Sequence, residues 1–279
     1  MSDAYTKQLS SRAHGFAVRF PNLSDDLPPT LRQTGVEVGA ICLLHADGSL
    51  EPLLNLTQPQ GDHSNPKEGV PQNWEWIRLN AGDLRANGLF FPPNTAVSST
   101  TAGKEDFSFS VEASAAPIGE ASATFRATST RSRKAMLFLP DGASNWDARP
   151  IGKFHALAHK HGKNWRKFVR DVLNREIGPE GLILVTGVTK ATSWCIAAVD
   201  NSSQGREMSL KLKAASVAGV GASYSWEWEN ATSSMHSGPH RRPGEESWHD
   251  NQTVFLRGFQ ILPSLAGGTN VRPFPNFKF

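Results

Sequence analysis

Histidines are the residues of this chain whose types and spacing come nearest to a metal site. His155 and His159 lie four residues apart in a segment with helical periodicity, a spacing that lets two imidazoles share one metal ion. That pair has no predictable third ligand. The other candidates, His236, His240 and His249, lie in a polar stretch with no cysteine nearby. The sequence therefore predicts no metal site and no cofactor.

Sequence signatures of catalysis are equally weak. The chain contains no Gly-x-Ser-x-Gly elbow, no P-loop and no Gly-x-Gly-x-x-Gly turn after a strand. Its two cysteines, Cys42 and Cys195, lie in apolar runs and are expected to be buried free thiols. We expect no catalytic residues, and the sequence favours a protein that is not an enzyme.

Cations cluster on one segment that has the pattern of a helix. Apolar residues from Ile151 to Leu173 recur at spacings of three and four. This pattern predicts one helix from about Ala148 to Ile177, with Ser144 as its N-cap. The cations on its other side, with two from a short N-terminal helix, are candidate lipid-binding residues: Lys7, Arg12, Lys153, Lys160, Lys163, Arg166, Lys167 and Arg170.

Two interpretations of this cationic face remain open. A solvated helix face explains the charges without a partner. Alternatively, each Lys or Arg near an acidic bilayer contributes about 1 kcal/mol of attraction, so six of them would bind it firmly. Nucleic acid is not expected as a partner, because the aromatic residues Trp165 and Phe168 belong to the apolar stripe and no nucleic-acid-binding motif is present.

Two pairs of segments alternate apolar and polar residues with the period of a β-strand. The pairs lie within residues 107–128 and 208–229. Half-buried strands packed on a helix would give this pattern, and so would bilayer-spanning strands of about ten residues that pair between neighbouring copies. The candidate membrane-hairpin residues are Phe107, Phe109, Val111, Phe125, Leu210, Leu212, Tyr224, Trp226 and Trp228.

The remaining pattern predicts an α+β fold, with residues 1–262 as a single domain and residues 263–279 as a short tail. Asp47-Gly48 between apolar runs predicts a β-hairpin. The tail carries three aromatic candidate anchors, Phe274, Phe277 and Phe279. Other predicted elements are a strand at Trp74–Leu79, a helical turn or loop at Ala81–Gly88, and strands at Leu182–Val188, Trp194–Val199 and Thr253–Leu262.

Composition sets wide limits on location. The chain has 279 residues and a formal net charge of +3, which is ordinary for a globular protein and compatible with anionic partners. Residues 1–15 are polar and no apolar run approaches the length of a membrane-spanning helix. We therefore expect a cytoplasmic protein.

Short segments of the chain resemble two groups of proteins. Pro140-Asp141-Gly142, Leu182–Val188 and Thr253–Phe259 are similar to a large family from mushroom-forming fungi, a resemblance that covers about residues 35–262 and implies no activity. In layout the chain also resembles the pore-forming N-terminal domain of gasdermins. Ile77–Asn80 follows an early hairpin, and a helix leads to Leu184-Val185-Thr186.

The gasdermin resemblance implies a fold and a function. The fold is a twisted antiparallel sheet with a central basic helix. The function is pore formation in fungal cell death: a cytoplasmic protein moves to acidic phospholipid membranes, forms a homo-oligomer and converts the two alternating pairs into membrane hairpins. We expect the chain to differ from mammalian gasdermins in lacking their large C-terminal inhibitory domain. The family's short-tailed members imply that residues 263–279 are inhibitory and are released by an activating protease.

A second function remains open from the residues themselves. Eight tryptophans, among them Trp226 and Trp228 at alternate positions, could line a binding surface. The alternative is therefore a non-enzymatic module that binds a protein or a glycan.

Overall fold

The fold was analysed in a computed structural model. It describes residues 5–6, 9–10, 14–98, 109–115, 120–129, 133–200, 206–217, 220–229, 234–239, 250–264 and 267–275. The helices are α1 (Pro29–Thr34) and α2 (Ile151–Asp171), with a 3-10 turn at Ala81–Asp83. The strands are β1 (Phe16–Ala17), β2 (Ala40–Leu44), β3 (Leu50–Asn55), β4 (Leu84–Phe91), β5 (Thr95–Ser98), β6 (Phe109–Ala115), β7 (Glu120–Ser129), β8 (Arg133–Leu139), β9 (Ala143–Ala148), β10 (Leu182–Ala191), β11 (Trp194–Asp200), β12 (Arg206–Val217), β13 (Val220–Glu229), β14 (Ser234–Gly238), β15 (Gln252–Pro263) and β16 (Thr269–Phe274).

These strands form three sheets. The main sheet has eight strands in the order β1-β15-β10-β2-β3, with β16 beside β15, β9 beside β10 and β4 beside β9. The base sheet has the order β14-β11-β8-β5, and the hairpin sheet has the order β13-β12-β7-β6. All pairings between these strands are antiparallel. The prediction of an α+β fold with antiparallel sheets is confirmed.

Strand β10 is the centre of the main sheet, and all ten of its residues are buried. Leu182 and Leu184 pack in one apolar cluster with Trp165 of α2. Ile183 and Val185 belong to a second cluster that contains Cys42. Because both faces of β10 are covered, its first part, Leu182–Val185, is a continuous apolar run rather than an alternating one.

The long helix is shorter than its sequence pattern predicts. It begins at Ile151 and ends at Asp171, and Asn174 adopts a positive φ of 50° soon after its end. The prediction that Ser144 caps the helix is wrong. Ser144 lies in β9, which pairs with both β10 and β4, and its hydroxyl donates to the carboxylate of Asp250.

Two predicted elements that follow β3 along the chain also differ from the structure. The predicted strand at Trp74–Leu79 is wrong, because this segment joins no sheet: the Ile77 amide donates to the Leu56 carbonyl at 2.8 Å, but no ladder follows. The turn predicted at Ala81–Gly88 is limited to Ala81–Asp83, and β4 starts at Leu84. The hairpin around Asp47-Gly48 is confirmed as β2 and β3, and Cys42 and Cys195 are buried free thiols.

An ion pair crosses the main sheet over a glycine. Gly187 of β10 is the register partner of Asp147 on one side and of Arg257 on the other. The Arg257 Nε donates to Asp147 Oδ1 at 2.7 Å, and its Nη2 donates to Asn145 Oδ1 at 2.6 Å. A Cβ added at Gly187 would lie 2.1 Å from that Asp147 oxygen, so a larger residue would force the ion pair to shift.

We expect Gly187→Ala to lower the free energy of unfolding by about 2–3 kcal/mol, because it forces apart an ion pair that is only partly exposed. Urea unfolding followed by circular dichroism measures the change. Gly152→Ala is the control, since no atom lies within 4 Å of a Cβ at Gly152, and it should stay within about 1 kcal/mol of the native chain. Equal stability of the two variants would contradict the role assigned to Gly187.

Candidate functional site

The strands of the hairpin sheet continue, along the chain, the strands of the base sheet. β5 leads to β6, β7 leads to β8, β11 leads to β12, and β13 leads to β14. The two sheets have the same strand order, because β13-β12-β7-β6 corresponds member by member to β14-β11-β8-β5. Each strand of the hairpin sheet is therefore next along the chain to one strand of the base sheet, in the same order across the sheet.

The base sheet is fixed to the main sheet by an apolar core. Leu137 of β8 and Trp194 of β11 are buried in one cluster with Phe255 of β15. The Trp194 indole donates to Gln252 Oε1 at 3.2 Å. Tyr5 and Leu9, in helical turns near the N-terminus, belong to the same core. The base sheet, whose strands lead along the chain to those of the hairpin sheet, is therefore packed against the main sheet.

The register of the hairpin sheet separates apolar from polar positions. Successive residues of a strand lie on opposite faces, so cross-strand partners share a face. Phe125 is the partner of Val111 and of Leu210, and Leu210 is the partner of Trp228. The same face holds the rows Phe109, Ala127 and Met208; Ala113, Ala123, Leu212 and Trp226; and Ala115, Ala121, Ala214 and Tyr224.

The other face of the hairpin sheet carries the polar residues, whose cross-strand rows alternate with the apolar rows. Thr124 is the partner of Glu112 and of Lys211, and Lys211 is the partner of Glu227. The neighbouring polar rows are Ser110, Arg126, Ser209 and Glu229; and Ser114, Ser122, Lys213 and Ser225. Of the predicted hairpin residues, Phe109, Val111, Phe125, Leu210, Leu212, Tyr224, Trp226 and Trp228 thus share one face, and Phe107 lies outside the described residues.

The lengths of these strands match a bilayer. β7 and β13 have ten residues and β12 has twelve, whereas the described part of β6 has seven. A strand that crosses a membrane needs about 9–11 residues at its usual tilt. Sequence reasoning found each hairpin by its alternation. It missed that the two hairpins pair with each other through β7 and β12, because about eighty residues separate those strands.

Helix α2 separates its cations from its buried face. Its buried residues include Phe154, Ala158, Trp165 and Phe168, at spacings of three, four and seven. Five of the six predicted cations on the helix are exposed, and Arg166 is partly buried, which lowers its pKa. Lys7 and Arg12, the other two predicted lipid-binding cations, lie outside the described residues.

Two of these cations have acidic partners. Lys160 donates to Glu75, and this hydrogen bond, together with His161 Nε2 at 3.1 Å from the same carboxylate oxygen, lowers the pKa of the Glu75 carboxyl. Arg170 donates to Asp171 at 2.6 Å, which lowers the pKa of that carboxyl. The exposed lysines of α2 that form no ion pair with any described residue are Lys153, Lys163 and Lys167.

The histidines do not assemble into a metal site in the described part of the chain. The ring of His155 lies 5.1 Å from that of Phe259, and the ring of His236 lies 4.7 Å from that of Phe20. Burial lowers the pKa of His236. No group of three potential ligands occurs among the described residues, and His240 and His249 fall outside them.

The tail contributes a strand to the main sheet. β16 pairs with Gly258–Pro263 of β15, and Phe274 is buried with its ring 4.8 Å from that of Phe16. Gly162 of α2 allows close contact between this helix and β16, because a Cβ at position 162 would lie 2.6 Å from Thr269 Cγ2. The sequence did not predict β16, and the other two aromatic anchors, Phe277 and Phe279, lie outside the described residues.

No protein-family model matches this chain, and no curated protein is significantly similar to it. Within the described residues, neither helix has the length and apolar character needed to cross a bilayer.

Proposed function

We propose that this chain is a gasdermin-like pore-forming protein that oligomerises on acidic membranes and acts in fungal cell death. The observation that carries the proposal is the hairpin sheet. Its register collects apolar residues on one face and polar residues on the other, over strands of bilayer-spanning length. The apolar face would contact lipid, and the polar face would line a water-filled lumen.

Backbone hydrogen bonding supports closure into a ring of copies. An open sheet edge does not persist in hydrocarbon, so the edge strands β6 and β13 need partners. Within one copy the four strands alternate in direction. β6 of one copy therefore runs antiparallel to β13 of the next when the copies stand side by side. Repetition of this contact pairs every strand, and each copy adds four strands to the barrel.

The cationic face of α2 supplies the attraction to an acidic phospholipid surface. Lys153, Lys163 and Lys167, which form no ion pair with any described residue, are exposed on the side of the helix that faces away from the apolar core. The proposed trigger is release of the tail by an activating protease. β16 contacts α2 at Gly162 and covers one edge of β15, so its loss would change the surface beside the cationic helix.

Release of a dye from vesicles tests the proposal. The full chain is compared with a chain that ends at Ser264, which removes β16 but leaves all of β15. Vesicles that contain cardiolipin or phosphatidylserine should leak with the shorter chain, and vesicles of phosphatidylcholine alone should not. Circular dichroism of the shorter chain verifies that it is folded.

Each outcome has a definite meaning. Leakage by the shorter chain alone supports both the pore and the inhibitory tail. Leakage by both chains supports the pore and contradicts an inhibitory role for residues 265–279. Absence of leakage from both chains at micromolar protein, with the shorter chain folded, would refute the proposed function.

A further inference from the structure

The loop segment Trp74–Ile77 is held against the cationic helix by three contacts. The ring of Trp74 lies 6.3 Å from that of Trp165, a buried residue of α2. Glu75 accepts a hydrogen bond from Lys160, and its carboxylate lies 3.1 Å from His161 Nε2. Ile77 is buried in the main core. The segment therefore has a fixed position beside the helix although it belongs to no sheet.

Trp76 lies between two of these contacts and remains in solvent. Its relative exposure is 42%. A single exposed tryptophan is common on protein surfaces and by itself indicates nothing. Here, however, Glu75 and Ile77 are both held in place, so the backbone on either side of Trp76 is fixed beside the helix. The Trp76 indole is thus presented next to the residue that binds Lys160, a member of the cationic face.

We propose that Trp76 is an interfacial anchor that binds an acidic phospholipid bilayer together with Lys153, Lys163 and Lys167 of α2. This inference rests on the proposed function and adds a residue to its membrane-binding surface. Indole rings partition to the level of the lipid headgroups, where their apolar body and polar N–H are both accommodated. The lysines would bind phosphate at the same depth, and the charge of this surface is complementary to an acidic leaflet.

Co-sedimentation with phosphatidylserine-containing vesicles tests the anchor. Trp76→Ala should weaken binding about fivefold to tenfold, the effect of removing one large apolar side chain from a buried position. Trp146→Ala is the matched control. Trp146 has a similar exposure of 40%, but it lies on β9 and its indole donates to Ser144 rather than to a residue of α2. This control should bind as the native chain does.

A second measurement keeps the test valid if Trp76→Ala alters the loop. Trp76→Phe retains an apolar ring but removes one indole. Quenching of tryptophan fluorescence by brominated lipid should therefore be smaller for Trp76→Phe than for the native chain, whereas Trp146→Phe should show the native quenching. Equal quenching in all three proteins, or equal vesicle binding by Trp76→Ala and the native chain, would overturn the anchor and leave the proposed function intact.

Two further outcomes separate the alternatives. If neither the native chain nor the chain that ends at Ser264 binds acidic vesicles, both the anchor and the membrane-binding step of the proposed function are lost. Heparin serves as a soluble polyanion without an apolar layer, and Trp76→Ala should bind it as the native chain does. An equal loss of binding to heparin and to vesicles would identify a soluble acidic partner instead of a bilayer and would overturn the inference.

Discussion

Leu212→Lys is expected to reduce release of vesicle contents at least about a hundredfold while vesicle binding is retained. Leu212 lies in a middle row of the apolar face, between its partners Ala123 and Trp226. A lysine that faces lipid near the bilayer midplane costs about 2–4 kcal/mol in a barrel strand. Each copy in a ring would carry this cost, so insertion should fail. Dye release at equal amounts of bound protein measures the effect.

The matched control places the same charge on the other face. Thr124 lies in the polar row next to Leu212, with Glu112 and Lys211 as its partners. Thr124→Lys adds the same side chain to the sheet and should release dye within about threefold of the native rate, because a lumen-facing charge stays in water. Similar loss in both variants, or similar activity in both, would contradict the assignment of the two faces.

The second large effect is expected from the lysines of α2 that form no ion pair within the described part of the chain. The triple variant Lys153→Gln, Lys163→Gln and Lys167→Gln removes three charges without creating new acidic groups. At about 1 kcal/mol for each cation near an acidic leaflet, binding should weaken about a hundredfold. Co-sedimentation with phosphatidylserine-containing vesicles at low salt measures this, and the difference should shrink as salt is raised.

The control for this variant has the same change in net charge. Lys67, Arg85 and Arg272 are exposed cations on other parts of the molecule, and their replacement by Gln should change binding by less than about threefold. If both triple variants lose binding equally, net charge rather than the cationic face of α2 is responsible. If neither loses binding, α2 has no part in membrane attachment.

Periodicity made the separate elements of the candidate site predictable. The alternation from Met208 to Ala214 and the stripe from Phe154 to Val169 depend only on neighbours within each strand or helix. The pairing of β7 with β12 was not predictable, because no local pattern indicates which hairpin edges meet. The correspondence in strand order between the base and hairpin sheets was not predictable either, because it depends on strand pairings between distant parts of the chain.

The errors have local physical causes. Ser144 has the side chain of an N-cap, but the strand pairings on both sides of β9 outweigh a cap worth about 1 kcal/mol. Trp74–Leu79 has the composition of a strand, yet its side chains pack on α2 instead of joining a ladder. The sequence of β16 does not look like a strand, because it contains Pro273 and follows Gly267-Gly268. Proline is tolerated in an edge strand such as β16.

The most direct test of the proposed pore is a scan of β12 with an environment-sensitive dye. Single cysteines at residues 209–214 can be labelled selectively, because Cys42 and Cys195 are buried and burial raises the pKa of both thiols. With the activated chain on acidic vesicles, dye emission should shift to the blue at residues 210, 212 and 214 but not at residues 209, 211 and 213. Emission that stays water-like at all six positions, or that shifts without a two-residue period, would contradict membrane insertion of the hairpin sheet.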